Sequence, residues 1–271
     1  MSGIEHVFTH CRQEKRAAFI PYLTGGDPDL ETSAELLAAL AAAGADIIEI
    51  GVPFSDPIAD GPVNQRAATR ALRAGTSLAG ILDLVAGLRR DTDVPVVLFS
   101  YFNPIFVRGV REFAAQAADS GVDGVLCVDL PPGEAARGFT PALREKGLDT
   151  IFLLSPTSTR DRVREVGEAA TGFVYYVSRT GVTGVQTELA PELRREVKRV
   201  RRRLQQPVAV GFGISSPEQV GAVARIADGV VVGSALVRLV EERLGEPDLV
   251  TVLQAEAERL AAGVHPHRKR G

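Results

Sequence analysis

The chain has 271 residues, 45% hydrophobic and 24% charged, an ordinary composition for a folded protein with a sizeable core. Lys and Arg number 31 against 34 Asp and Glu, so the net charge is −3 and there is no basic excess to grip a nucleic-acid backbone. The two cysteines, Cys11 and Cys127, have neither CxxC nor Cys/His spacing. This leaves no disulfide framework and no readable metal site, and it points to a reduced, cytoplasmic setting.

The N-terminus is polar and carries no apolar signal core. From there, short runs rich in Val, Ile, Leu and aromatics alternate with helical periods. Strands are predicted at 18–23, 46–51, 94–100, 124–128, 150–154, 172–177, 207–211 and 229–233, each short enough to be buried on both faces. Helices are predicted at 30–43, 78–90, 110–120, 134–146, 160–168, 192–203, 217–225 and 236–243. The turn Asp27-Pro28-Asp29 and the pair Ser216-Pro217 are helix-start signals. Eight βα units in series predict a closed (β/α)8 TIM barrel, with a doubly wound open sheet as the rival, and with extra helices at the N- and C-termini. One domain is expected over 1–263, followed by a basic, disordered tail at 264–271. The longest apolar stretch, 36–45, is too short to span a bilayer, so no membrane association is expected.

Three segments interrupt the repeat: 51–73 after strand 2, 178–191 after strand 6, and a last helix at 249–263. In a barrel the first two are loops of the C-terminal face, where active sites lie. The residues available for chemistry are restricted. All four histidines (His6, His10, His265, His267) lie near the ends, and none of the lysines (Lys15, Lys146, Lys198, Lys269) ends a predicted strand. Acid–base work therefore falls to carboxylates, tyrosines or backbone groups.

Glu49 stands in Ile47-Ile48-Glu49-Ile50-Gly51, a carboxylate at the C-terminal end of an otherwise apolar strand. Burial there costs several kcal/mol unless the group is paired or protonated, so its pKa should rise toward neutrality. Asp56 and Asp60 lie in the proline-stiffened loop that follows. Each is explained alone as a turn-making aspartate, but beside Glu49 one of them becomes a second site carboxylate. Asp129 closes strand 4 and is a weaker candidate of the same type. Gly211-Phe212-Gly213 after strand 7, Gly233-Ser234 after strand 8 and Gly181-Val182-Thr183-Gly184 after strand 6 suit a phosphate ester, because glycines let backbone N–H groups approach an anion. Tyr101, Tyr175 and Phe212 fall at strand ends, where aromatics would suit a flat apolar group.

The segment Glu49-Ile50-Gly51-Val52-Pro53-Phe54-Ser55-Asp56-Pro57, with Ala59-Asp60-Gly61-Pro62, resembles the signature of the tryptophan synthase alpha chain family. So do, in order, Leu23-Thr24-Gly25-Gly26-Asp27-Pro28, the run 178–184 and the run 211–217. The resemblance implies retro-aldol cleavage of indole-3-glycerol phosphate to indole and glyceraldehyde 3-phosphate in tryptophan biosynthesis. It implies Glu49 as the acid–base at indole C3 and Asp60 as the carboxylate facing the indole N–H. Gly184, Gly213, Gly233 and Ser234 would bind phosphate. Tyr22, Phe99, Leu126, Val128, Tyr175 and Phe212 would line the indole pocket, Arg179 and Thr183 would belong to a mobile loop, and Asp56 would contact a partner. The implied partner is a beta chain in an alpha2-beta2 heterotetramer that receives the indole and carries pyridoxal phosphate; this chain would need no cofactor. Tyr22 departs from the family's usual Phe, and Phe99 from a smaller aliphatic. Other readings are a stand-alone indole-releasing lyase, another phosphate-binding barrel enzyme of the same pathway, and a catalytically weak activating subunit.

Overall fold

The computed structural model describes residues 2–178, 191–211 and 213–265. Its elements run α1 (Gly3–Gln13), β1 (Ala18–Thr24), α2 (Leu30–Ala42), β2 (Ile48–Gly51), α3 (Pro62–Arg73), α4 (Leu78–Leu88), β3 (Val96–Ser100), α5 (Phe102–Arg108) and α6 (Val110–Asp119). They continue with β4 (Gly124–Cys127), α7 (Pro132–Ala135), α8 (Phe139–Glu145), β5 (Asp149–Leu154), α9 (Arg160–Ala169), β6 (Val174–Val177) and α10 (Pro191–Arg201). The last are β7 (Val208–Gly211), α11 (Pro217–Ala224), β8 (Gly229–Val232), α12 (Ser234–Glu242), α13 (Leu249–Ala261) and a 3-10 turn (Ala262–Val264). The eight strands pair in parallel in chain order, and β8 closes on β1 through Ala18↔Gly229. This is the predicted TIM barrel, with α1 and α13 as the extra terminal helices.

Because the strands are buried on both faces, alternation shows only in the packing. Ala18, Ile20, Ile47, Val97, Leu126, Ile151, Phe173, Ala209 and Val231 form one inner cluster with Ile4, Phe8 and Cys11 of α1. Helix α1 therefore plugs the N-terminal end of the barrel. Its Ser2 cap accepts a bond from the Glu5 N–H, and burying Ile4 and Phe8 contributes roughly 1.5–3 kcal/mol each. Two residues further along four of those strands, Phe99, Val128, Leu153 and Tyr175 are only partly buried and pack on this cluster from above. They rim the open, C-terminal mouth.

The connections differ from expectation in three places. Most of the predicted 51–73 loop is helix α3, entered through Gly61 and Pro62, with Ala67, Ala68 and Ala71 buried. An alanine face is a weak apolar signal, which hid the helix from the periodicity. The predicted helix 134–146 is broken into α7 and α8 at Gly138, because Pro141 in a continuous helix would strike the carbonyl four residues earlier and lack its N–H. A short helix, α5, unforeseen in the sequence, follows β3 directly. At the C-terminus, Val264 is buried beneath the final turn, so packing extends to the first residue of the expected tail. Among the described residues, no single helix is long and apolar enough to cross a membrane.

Candidate active site

Glu49 lies two residues beyond Ile47 on the inward-facing row of β2, opposite Tyr22 of β1 in register. It is 1% exposed, and its Oε1 has no hydrogen-bond partner among the described residues. Burial pushes its carboxyl from an ordinary 4.5 up to about 8, so the group holds its proton at neutral pH. The sequence predicted both the buried position and the raised pKa.

Tyr22 and Tyr175 flank this carboxyl. Their phenols are raised well above the usual tyrosine range, chiefly by burial and, in smaller part, by the Asp60 charge at Tyr22 and the Glu49 charge at Tyr175. Two glycines make room for their hydroxyls. A Cβ at Gly51 would stand 2.2 Å from the Tyr22 hydroxyl oxygen, and one at Gly211 2.4 Å from that of Tyr175. Phe99 meets Tyr22 edge to face at 5.7 Å between ring centroids. Leu126, opposite Phe99 in register, is fully buried and forms the floor, while Val128 stands higher on the rim. The described members of the predicted apolar pocket thus come together at the mouth; Phe212 lies outside the described residues. Leu153 is a further rim residue that sequence reasoning missed, because a continuously apolar strand does not reveal which side chains face inward.

Asp60 approaches from the loop between β2 and α3. The Tyr101 hydroxyl donates to its Oδ2 at 2.9 Å and accepts the Ala59 N–H at 2.9 Å. The Asp60 N–H is held by the Pro57 carbonyl at 3.0 Å. Burial raises the Asp60 pKa, and side-chain bonds from Tyr101 and Asn64 partly offset the rise. Tyr101, itself locked against Phe54, was noted in the sequence only as a strand-end aromatic. Its hydroxyl is what orients the carboxylate. Asp56 is exposed; its carboxylate accepts the neighbouring Ser55 hydroxyl at 2.5 Å and its carbonyl the Ile58 N–H at 2.8 Å. Asp129 accepts the Phe102 N–H at 2.8 Å and the Cys127 thiol, so it ties β4 to the start of α5 rather than facing Glu49.

After β7 and β8 the starts of α11 and α12 differ. Ser216 caps α11 through the Gln219 N–H, whereas Gly233 gives α12 no side-chain cap. The first N–H groups of α12, beginning at Ser234, are thereby left for an anion, with the positive end of the helix behind them. Gly213 turns the chain after β7 with a φ of 68°, a left-handed conformation that favours glycine. Gly184, Arg179 and Thr183 lie outside the described residues. Among the described residues, no group of His, Cys, Asp and Glu side chains is arranged to hold a metal ion.

Comparison with known proteins finds one family over nearly the whole chain. The family model for the tryptophan synthase alpha chain matches residues 8–265. A tryptophan synthase alpha chain from Geotalea daltonii is 49% identical over 264 residues, covering 97% of this chain and 99% of its own. The solved tryptophan synthase subunit alpha of Legionella pneumophila superposes with a TM-score of 0.90 at 36% identity, covering 97% of this chain and 98% of that one. A solved Mycobacterium tuberculosis tryptophan synthase gives 0.88 at 38% identity, with 98% and 99% covered. A barrel that carries a buried glutamate on β2 and a tyrosine-held aspartate in the loop after it, and that matches these relatives over nearly its whole length, belongs to the tryptophan synthase alpha chain family.

Proposed function

We propose that Glu49 and Asp60 carry out the family's lyase reaction, the cleavage of indole-3-glycerol phosphate, between the uncapped start of α12 and the aromatic mouth of the barrel. The observation that carries this reading is a carboxyl without a partner on its Oε1, buried in the mouth and protonated up to about pH 8. Glu49 gives its proton to C3 of the indole ring, and the ring becomes the electron sink. The resulting carboxylate takes the proton of the hydroxyl on the adjoining glycerol carbon as the carbon–carbon bond breaks and the carbonyl forms. One proton leaves Glu49 and one returns, so the acid is restored in each turnover. Positive charge develops on the ring nitrogen meanwhile, and Asp60, oriented by Tyr101, accepts the N–H and offsets that charge. A retro-aldol cleavage elsewhere relies on a lysine imine or a metal; here the ring itself accepts the electrons.

We assign phosphate to Gly213, Gly233 and Ser234, together with Gly184, and the ring to Tyr22, Phe99, Leu126, Val128, Tyr175 and Phe212. Arg179 and Thr183 are assigned to the loop that closes over the substrate. The setting is cytoplasmic, in keeping with the two free, buried cysteines. The direct test is indole released from indole-3-glycerol phosphate by the purified chain, with and without a pyridoxal-phosphate beta chain. Slow release that rises sharply with the partner supports a subunit working in a complex. Fast release by the chain alone supports the stand-alone lyase, and no release in either case overturns the reading.

We also infer a partner surface at this end of the barrel. Ile58, two residues after exposed Asp56, is 87% exposed, and on α5, the helix that follows β3, Phe106 and Val107 are 65% and 77% exposed. Exposed large apolar side chains gathered near a site mark a contact surface. We assign this face to the beta chain. Phe106→Ser with Val107→Ser should weaken its binding by about thirtyfold, the loss of one anchor cluster. Indole release by the chain alone should stay unchanged. Calorimetric titration reads the first effect and the indole assay the second.

A further inference from the structure

Helix α3 starts directly behind Asp60, at Gly61-Pro62, and contacts both β1 and α12, while α4 turns away from it by 95°. Arg70, at its far end, holds two acids at once. Its Nε and Nη2 donate side-on to Asp27 Oδ1 and Oδ2, each at 2.8 Å, and its Nη1 donates to Glu241 Oε1 at 2.7 Å. Arg66, one turn earlier, grips the two oxygens of Glu241 with Nε and Nη2, each at 2.7 Å.

The acids belong to separate parts of the site. Asp27 follows β1, the strand that carries Tyr22, in a loop anchored by the Gly26 N–H to the Ser33 hydroxyl at 3.0 Å. Glu241 lies near the end of α12, whose start is Gly233-Ser234. One guanidinium therefore joins the loop behind Tyr22, the helix behind Asp60 and the helix aimed at phosphate. The two arginines are not equivalent. Asp27 is 3% exposed and the Arg70 side chain 19%, whereas the Arg66 side chain is 54% exposed. A solvated pair of the Arg66 type contributes little, while a largely desolvated, bidentate pair is geometrically exacting.

Cleavage needs the ring and the phosphate of one substrate held at a fixed span, and a displacement of an ångström at either end is costly. α3 and α12 are distant in the chain, so their spacing is set by side chains. We propose that Arg70 is a positioning residue for the substrate, fixing the span between the Asp60 carboxylate and the start of α12 by clamping Asp27 and Glu241. The inference rests on the roles assigned above to Asp60 and α12.

A two-pronged arginine–aspartate pair, end-on rather than side-on, also occurs at the opposite end of the barrel, away from the proposed site. Arg16 donates from Nη1 and Nη2 to Asp46 Oδ2 and Oδ1 at 2.6 and 2.8 Å. Arg16→Lys is thus a control for the stability such a pair provides. In the full-length chain, alone and with the beta chain, Arg70→Lys keeps the charge and loses the fork. It should raise KM for indole-3-glycerol phosphate by about tenfold, and the inhibition constants of glyceraldehyde 3-phosphate and inorganic phosphate with it. Arg16→Lys should lower Tm to a similar extent and leave these constants within about twofold of native. Glu241→Gln cuts only the α12 arm and should weaken inhibition by inorganic phosphate with a smaller effect on kcat.

Native KM and inhibition constants in Arg70→Lys would overturn the inference, as would equal changes in Arg16→Lys and Arg70→Lys that track Tm. If Arg70→Lys does not fold, unchanged phosphate inhibition in Glu241→Gln overturns it. Asp60→Asn in the same assay separates the two readings. A fully active Asp60→Asn removes the catalytic assignment, whereas an inactive Asp60→Asn beside a native Arg70→Lys removes only the positioning role.

Discussion

Glu49→Gln is expected to abolish measurable cleavage, a loss of about 10³-fold or more, and at the same time to make the protein more stable at alkaline pH. The loss follows from removing the proton donor at nearly constant shape. The gain follows from the raised pKa. The unfolded carboxyl ionises near 4.5 and the folded one near 8, so the folded state holds an extra proton between those values. The stability that this acid contributes is complete below pH 4.5, falls as pH rises, and is lost above about 8. The span is worth on the order of 5 kcal/mol, against which the buried amide of glutamine costs about 1–3 kcal/mol. Glutamine does not ionise, so the variant's thermal midpoint should exceed the native one by about 5 °C at pH 8.5 and by much less at pH 5. In the native protein, kcat/KM should decline above pH 8 as Glu49 loses its proton. Near-native turnover in the variant would end its assignment as the acid. Equal midpoint differences at the two pH values would mean that the folded glutamate is not held neutral.

The second large effect is expected at Asp60. Asp60→Asn retains an oxygen for the Tyr101 hydroxyl but presents no charge to a cationic ring, so kcat should fall by about 10²–10³-fold. Tyr101→Phe keeps the charge and frees the carboxylate to rotate, so it should cost less, about tenfold. Steady-state rates of the two variants, compared with folding monitored by circular dichroism, separate lost charge from lost orientation. If Asp60→Asn stayed within a few-fold of native, the stabilising charge would have to come from elsewhere. Neither alternative is well placed, since Asp56 is exposed and Asp129 is committed to the Phe102 N–H.

Those positions also mark how far the sequence could be read. The eight strands were legible to within two residues, because runs of Val, Ile and Leu between polar helical segments have few other uses. Glu49 was legible for the opposite reason: a lone acid in such a run must be explained. Helix α3 was not, since its buried face is alanine and its exposed face is Gln and Arg, which resembles a polar loop. Tyr101 reads in the sequence as an aromatic for a flat apolar group and not as the partner of Asp60, because a phenol reaching an aspartate 41 positions earlier leaves no periodic trace. Gly211 reads in the sequence as part of a phosphate-binding glycine segment and Gly51 as the plain end of a strand, although each leaves space for a tyrosine hydroxyl from an adjacent strand. The Arg70 clamp was equally hidden, as it unites residues 27, 70 and 241 only after the barrel has closed.

The plug formed by α1 has a consequence for traffic through the molecule. Ile4, Phe8 and Cys11 stop the barrel from below, so on the reading proposed above its C-terminal mouth is the doorway to Glu49. The substrate descends through that doorway, and both products must climb out of it before another substrate can follow. Ile58 lies in the Asp60 loop after β2, and Phe106 and Val107 on α5 after β3, all exposed on segments that leave the same end of the barrel. A protein seated on them stands where every molecule passes, and it can set the pace of departure without touching the chemistry below.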